Sequence, residues 1–160
     1  MTYINSLENY LPHFYRLTEQ LSKICQEAID LSANTGKHRL DLFYRFPGGK
    51  LFFSIYEAGY SRLGQCNFLN SYQGITVVIN YFVLDRKETG LGSCIVETVL
   101  NLLQQLDCTL VILKAQNIRA AKFWQKQSFL PLPGTCSETP IMYLVLKCFK
   151  SESRLLPIDG

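Results

Sequence analysis

Phe14, Leu17, Leu21, Ile24, Ala28 and Leu31 recur at steps of three and four, one apolar stripe that predicts an amphipathic helix over 12–33. Pro12 is tolerable in its first turn and Gly36 is the expected stop. The period then changes. Residues 40–46 and 51–57 read as strands joined by a turn at Pro47-Gly48-Gly49. A hairpin turn is expected at Ala58-Gly59-Tyr60-Ser61, followed by a third strand over 62–69. Residues 75–84 are the longest apolar strand-like run. Ile95, Val99, Leu102, Leu103 and Leu106 give a helical face over 92–106. Residues 109–113 are continuously apolar and β-branched in character, as a strand buried on both faces should be. A short helix over 118–126, a loop at Pro131-x-Pro133-Gly134 and a final strand over 141–149 complete the pattern.

A helix, an antiparallel strand series, and then strand–helix–strand–helix–strand is a mixed α/β order with one parallel crossover. No internal repeat or boundary divides it, so residues 1–150 are expected to form one domain and 151–160 a polar tail. The chain of 160 residues, 48% apolar and 18% charged, has the composition of a folded globular protein. Its net charge of +3 is scattered, which gives no nucleic-acid footprint. No basic stretch followed by an apolar core appears in Met1-Thr2-Tyr3-Ile4-Asn5-Ser6, so no secretory leader is expected, and no apolar run approaches the ~20 residues that span a membrane. The six cysteines, at 25, 66, 94, 108, 136 and 148, show no metal spacing, and no metal site is expected. Most fall in apolar segments, which suggests buried, reduced thiols and a cytoplasmic protein.

Chemistry enters at Lys87-Glu88-Thr89-Gly90-Leu91-Gly92, between the strand 75–84 and the next helix. A strand that turns through glycines into a helix N-terminus gathers backbone N–H groups suited to phosphate oxygens. Gly49-Lys50 has a superficial Walker look, but the upstream glycine and the following Ser or Thr are missing. Some thirty residues on comes Asn117-Ile118-Arg119-Ala120-Ala121-Lys122-Phe123-Trp124.

Together, Lys87-x-x-Gly90-x-Gly92 and Asn117-x-x-Ala120-x-x-Phe123-Trp124-x-x-x-Ser128-Phe129 resemble the two signatures of the GCN5-related N-acetyltransferase (GNAT) superfamily. The likeness covers about residues 51–149 and is strongest over 75–130. It implies a mixed, mostly antiparallel central sheet with a splayed central strand pair, flanked by helices. It also implies acetyl-CoA as co-substrate and an amine as acceptor. The main chain of Phe82, Val83 and Leu84 would then hold pantetheine. The loop Lys87, Glu88, Thr89, Gly90, Leu91, Gly92 and Ser93 would hold the pyrophosphate, and Asn117, Ala120 and Phe123 would complete the site. Asn117 also has the residue type of a helix N-cap.

The chain departs from the pattern at several points. Lys87 replaces the usual Arg or Gln, keeping charge without a planar fork. Ser128 replaces a Gly, and Trp124 replaces the Tyr that many members use to protonate the departing thiolate. An indole N–H donates a hydrogen bond but is no usable acid. No carboxylate lies on 75–84, where many members keep one. The catalytic candidates are therefore Asn80, which could orient the acceptor or a water, Tyr81, and Trp124. The plainer readings are a strand bulge for Asn80 and packing for Tyr81. Glu57 is a distant candidate base and Tyr143 a second candidate acid.

The missing carboxylate bears on the acceptor. A lysine amine of pKa ~10.4 is neutral about once in 2,500 at pH 7, whereas an α-amine of pKa ~7.8 is neutral about once in seven. A chain without an evident base suits an α-amine of an amino acid or peptide, or another low-pKa amine. Two alternatives follow from the same residues: a GNAT-fold module that binds acyl-CoA without turnover, and an enzyme that uses a longer acyl donor.

Overall fold

Alternation on the strands and three-four spacing on the helices generate one seven-stranded sheet with helices against it. The structure, a computed structural model, describes residues 6–58, 74–85 and 90–146. After a 3-10 turn at Ser6–Tyr10, the elements among these residues are α1 (Leu11–Cys25), β1 (Asp30–Gly36), β2 (Arg39–Phe46), β3 (Gly49–Tyr56), β4 (Ile75–Leu84), α2 (Leu91–Gln105), β5 (Cys108–Lys114), α3 (Ile118–Lys126), β6 (Leu130–Pro131) and β7 (Ile141–Val145). The strand order is β1-β2-β3-β4-β5-β7-β6. Among the described strands only β4 and β5 run parallel, joined across α2; the other neighbours are antiparallel. This is the mixed, mostly antiparallel sheet expected above.

The first helix is shorter than its stripe suggested. It ends at Cys25, because Gln26 turns left-handed (φ 57°) and its N–H closes on the Ser22 carbonyl. Ala28 is exposed and outside the helix, while Leu31 belongs to β1 opposite Tyr44 of β2. Gly36 ends that strand at a two-residue turn whose second member, His38, is also left-handed. The expected turn at 58–61 and strand over 62–69 lie outside the described residues except Ala58, as do residues 147–160.

The sheet has two unlike faces. Leu40, Leu42, Tyr44 and Phe46 of β2, with Leu51, Phe53 and Ile55 of β3, all buried, form one side of the core with α1. The Tyr44 hydroxyl donates to the Phe14 carbonyl across that interface, and burial raises its pKa. Val77, Ile79, Val111 and Leu113 continue this face beneath α2, whose Ile95, Val99 and Leu103 are buried against it. The opposite face carries Phe43, Phe52 and Tyr81 in mutual ring contact, with Arg45 over the Phe43 ring.

The cysteines differ from expectation. Of those described, only Cys108 is buried; Cys25 is half-buried, and Cys94 and Cys136 are exposed. Burial pushes the Cys108 thiol up to about 12. Hydrogen bonds from the backbone of Thr139 and Glu138 lower the Cys136 thiol. An apolar neighbourhood in sequence does not bury a residue that a helix surface or a loop turns outward.

The C-terminus of α3 explains a departure noted in the sequence. Ser128 N–H donates to the Gln125 carbonyl and Phe129 N–H to the Trp124 carbonyl, each at 3.0 Å, while Ser128 holds φ at 76°. This is a Schellman closure, sealed by the Trp124–Phe129 ring contact at 5.1 Å. A left-handed serine costs about 1–2 kcal/mol that glycine avoids. Ser128→Gly is expected to stabilise the protein by about 0.5–1 kcal/mol after the greater chain entropy of glycine is subtracted. Urea unfolding would measure it.

Candidate functional site

The site begins where β4 and β5 part. Parallel pairing runs from Ile75↔Cys108 to Ile79↔Leu113 and then stops. Beyond it, β4 continues through Leu84 paired only with β3, and β5 continues to Lys114 paired with β7. Residues 80–84 therefore face a gap on their β5 side. In an antiparallel pair, alternate residues turn their N–H and C=O away from the partner. That edge of β4 thus offers backbone donors and acceptors to an extended ligand.

Two features open the gap. Phe53↔Ile79 and Phe52↔Tyr81 are consecutive partners, so Asn80 is an extra residue bulged out of the ladder. A bulge bends its strand and increases its twist. On the core face, Phe82 packs against Phe123 and Trp124 of α3, with ring centroids 6.2 Å apart in each case. The helix after β5 therefore leans across the split and supports its floor.

The mouth is formed by α2. Gly90 precedes the helix at φ 76°, with nothing within 4 Å of where a Cβ would stand. Its carbonyl accepts the first helical bond, from Cys94 N–H at 3.1 Å, and no side chain among the described residues caps the helix start. The amides of Gly92 and Ser93 in the first turn and the positive end of the helix dipole thus present an anion-binding geometry beside Leu84. Gly92 serves another purpose. A Cβ there would lie 3.2 Å from Phe123 and 3.3 Å from Leu84, so its absence lets α2 close on β4 and α3. Ser93 Oγ accepts from Gln127 Nε2 at 2.8 Å, a second tie between α2 and α3. Lys87, Glu88 and Thr89 lie outside the described residues.

Asn117 stands across the split, just past β5, and is the N-cap of α3: its Oδ1 accepts from Ala120 N–H at 2.8 Å. That bond commits the oxygen and leaves the Nδ2 group as a donor. Ala120 and Phe123 pack on the core, and Trp124 is 6% exposed among Phe82, Phe123 and Phe129. Arg119, Lys122 and Lys126 are exposed on α3.

Asn80, Phe82, Val83 and Leu84 lie on β4 beyond the last parallel pair, Gly92 packs beside Leu84, and Asn117 follows the end of β5. The structure does not bring Glu57 there. Glu57 follows Tyr56↔Thr76, four residues along β4 from Asn80, or roughly 13 Å at strand rise. Its Oε2 lies 3.2 Å from His38 Nδ1 instead. Tyr143 is on β7, two strands from β4, against Leu110 and Ile112. Tyr81 is half-buried in the ring cluster with Phe43 and Phe52.

Sequence reasoning missed a polar chain crossing three strands. Ser54 Oγ lies 2.7 Å from Asp41 Oδ1, and Asn80 Nδ2 lies 3.0 Å from Ser54 Oγ. Arg39 Nε stands 3.3 Å from the same Asp41 oxygen. The signal was present in the turn. Two residues, Pro47 and Gly48, with Gly48 at φ 78°, fix Phe46 opposite Gly49 and hence Asp41 opposite Ser54. Among the described residues, no group of His, Cys, Asp and Glu could hold a metal ion, and no helix is long and apolar enough to cross a membrane.

No family model matches this sequence. No curated protein matches it either. Several solved structures are similar in fold. One is NAA60 of Arabidopsis thaliana in complex with a bisubstrate analogue, 16% identical over 71% of this chain and 79% of that one, with a TM-score of 0.48. Another is a mutant AtaT toxin bound to the C-terminus of the antitoxin AtaR and acetyl-CoA. It is 14% identical over 81% of this chain and 98% of that one, with a TM-score of 0.49. A third, Ard1 from Thermoplasma volcanium, is 19% identical over 81% of this chain and 77% of that one, with a TM-score of 0.41.

Proposed function

We propose that this chain is an acetyl-CoA-dependent N-acetyltransferase that transfers the acetyl group directly to a primary amine in a ternary complex. The observation that carries the reading is the parting of β4 from β5 after Ile79↔Leu113, with the start of α2 behind the left-handed Gly90 at its mouth. A pantetheine arm, which has amide groups along its length, fits an unpaired strand edge. A pyrophosphate fits first-turn amides behind a left-handed glycine. Asn117 Nδ2 faces this arm from the other side of the split in the proposed complex. The acceptor amine attacks the thioester carbonyl, the new C–N bond forms as the C–S bond breaks, and CoA thiolate leaves with a proton.

An amino-acid or peptide α-amine is the favoured acceptor. Among the described residues, no carboxylate lies on β4 to draw a proton from a high-pKa amine. The site would be expected to work on an amine that is partly neutral already. CoA thiol release, assayed with acetyl-CoA and a panel of α-amines, ε-amines and polyamines, tests this. The expected result is turnover with α-amines. Turnover confined to ε-amines or polyamines would remove the acceptor assignment, and no release with any amine would remove the enzyme.

The burial of Trp124 in an aromatic cluster favours a second reading, since this position then supplies no hydroxyl acid. In that case the chain is a non-catalytic acyl-CoA-binding regulatory module. Tight CoA binding by calorimetry without thiol release would select it.

A further inference from the structure

We infer that the chain Asp41–Ser54–Asn80 makes the β4 bulge the subsite that holds the acceptor amine, with Asn80 presenting an oriented hydrogen-bond acceptor to it. The inference rests on the acetyltransferase reading above and adds to it the residue that positions the acceptor.

The direction of the chain follows from the donor inventory. A carboxylate only accepts, so Ser54 must spend its single O–H on Asp41 Oδ1 at 2.7 Å. Ser54 Oγ can then only accept from the next residue. It does so from Asn80 Nδ2 at 3.0 Å. The amide of Asn80 is thereby fixed: nitrogen inward on Ser54, Oδ1 outward. No group among the described residues takes that oxygen. Arg39 at 3.3 Å from Asp41 is donor-only and cannot reverse the order.

Position makes this oriented oxygen useful. Asn80 is the first residue of β4 past the last parallel pair, Ile79↔Leu113, so it stands at the head of the split where the reacting end of a thioester would lie. Bulging places Asn80 and Tyr81 on one face, the face of Ser54 and Phe52 and opposite the core. Ser54 is 4% exposed, a buried polar side chain between the buried Phe53 and Ile55, whereas Asn80 is exposed. A buried hydroxyl beneath an exposed amide is an anchor for that amide. An amine N–H entering from this face meets a fixed acceptor without a proton having to move through Asn80. Asn80 touches the substrate in this arrangement; Ser54 and Asp41 are positioning residues that act through it.

The test is steady-state kinetics on the best α-amine acceptor of the wild-type enzyme, with KM determined for both substrates. Asn80→Ala, Ser54→Ala and Asp41→Asn are each expected to raise the amine KM about ten-fold, the scale of one net hydrogen bond. The acetyl-CoA KM is expected to stay unchanged. Asp41→Asn belongs in the set because its amide can donate to Ser54, which frees the chain to run backwards. In the Asn80→Ala background, Ser54→Ala is expected to add nothing, since it acts only through Asn80. Additive losses, or equal rises in both KM values, would mark a purely structural network and overturn the inference. An unchanged amine KM in Asn80→Ala would overturn it as well. Asn80 is exposed and Asp41 half-buried, so their variants carry the test should Ser54→Ala fold poorly. A wild-type enzyme inert toward every amine would overturn the acetyltransferase reading and this inference together. An active enzyme indifferent to Asn80 overturns the inference alone.

Discussion

Gly49→Ala is expected to destabilise the protein by about 3 kcal/mol, the upper part of the range for overpacking a filled site. A Cβ at Gly49 would stand 2.6 Å from the Val83 carbonyl oxygen, 2.5 Å from the Phe46 ring and 2.7 Å from Leu84. The first of these is backbone of the paired strand and cannot rotate aside. The loss follows from space and not from conformation, since Gly49 is in a strand and has no positive φ. The neighbouring Gly48 differs: its φ is 78°, but a Cβ there would meet only Asp85 at an ordinary 3.7 Å. Gly49 is paired with Leu84, so displacing it also moves the end of β4 that leads into α2. The expected signature is a lower urea midpoint together with weaker acetyl-CoA binding by calorimetry. A melt unchanged within 0.5 kcal/mol would count against this close approach.

Much of this architecture was legible because local chemistry and tertiary packing agree along most of the chain. The apolar run at 75–84 is β4 to the residue, and the spacing over 118–126 is α3 to the residue. Of the run at 109–113, Leu110 to Leu113 are buried on both faces within β5, as their uniform composition required, and Thr109 is half-buried. Disagreement came where a long-range pairing overrode a local period. Ala28 and Leu31 continue the helical stripe of α1 by spacing alone. Yet Leu31 gains its partner Tyr44 in the sheet, and the left-handed Gln26 has already ended the helix. No residue type at Gln26 announces that stop.

The site was readable to a different depth on its two sides. The glycines at 90 and 92 and the cap at Asn117 are local features, visible as motif and spacing. Even so, the motif does not separate their roles: Gly90 faces open space, while Gly92 is required by Phe123 and Leu84. The polar chain to Asn80 joins residues 13 and 26 positions apart in sequence, and only strand register brings them together. The first of those links follows from the two-residue turn at Pro47-Gly48. The second depends on the bulge at Asn80, which a polar residue in an apolar run suggested, but the sequence does not say which partner the one-residue shift brings opposite it.

Trp124→Ala is expected to cost about 3–5 kcal/mol, the range for removing a large aromatic side chain from a core. Against a total stability of roughly 5–15 kcal/mol for a natural domain, that approaches unfolding. The indole is 6% exposed and meets Phe82, Phe123 and Phe129 at 6.2, 5.1 and 5.1 Å between ring centroids. It joins three things the site needs: the floor of the split at Phe82, the face of α3, and the closure at Phe129. A loss of activity in this variant would therefore say nothing of chemistry, and Trp124→Phe separates the two roles. Phenylalanine keeps an aromatic ring in the cluster and removes only the indole N–H and part of the volume. If Trp124 acts by packing, Trp124→Phe is expected to lose about 1–2 kcal/mol in urea unfolding, within the usual spread for core substitutions, and to keep kcat within about three-fold. If the indole N–H instead assists departure of the thiolate, kcat should fall by roughly ten-fold or more at unchanged KM, the mark of an interaction made in the transition state. The packing around the ring predicts the first result. Measured kcat for a folded Trp124→Phe enzyme decides between them, because both residues fill the same cluster and only one carries a donor.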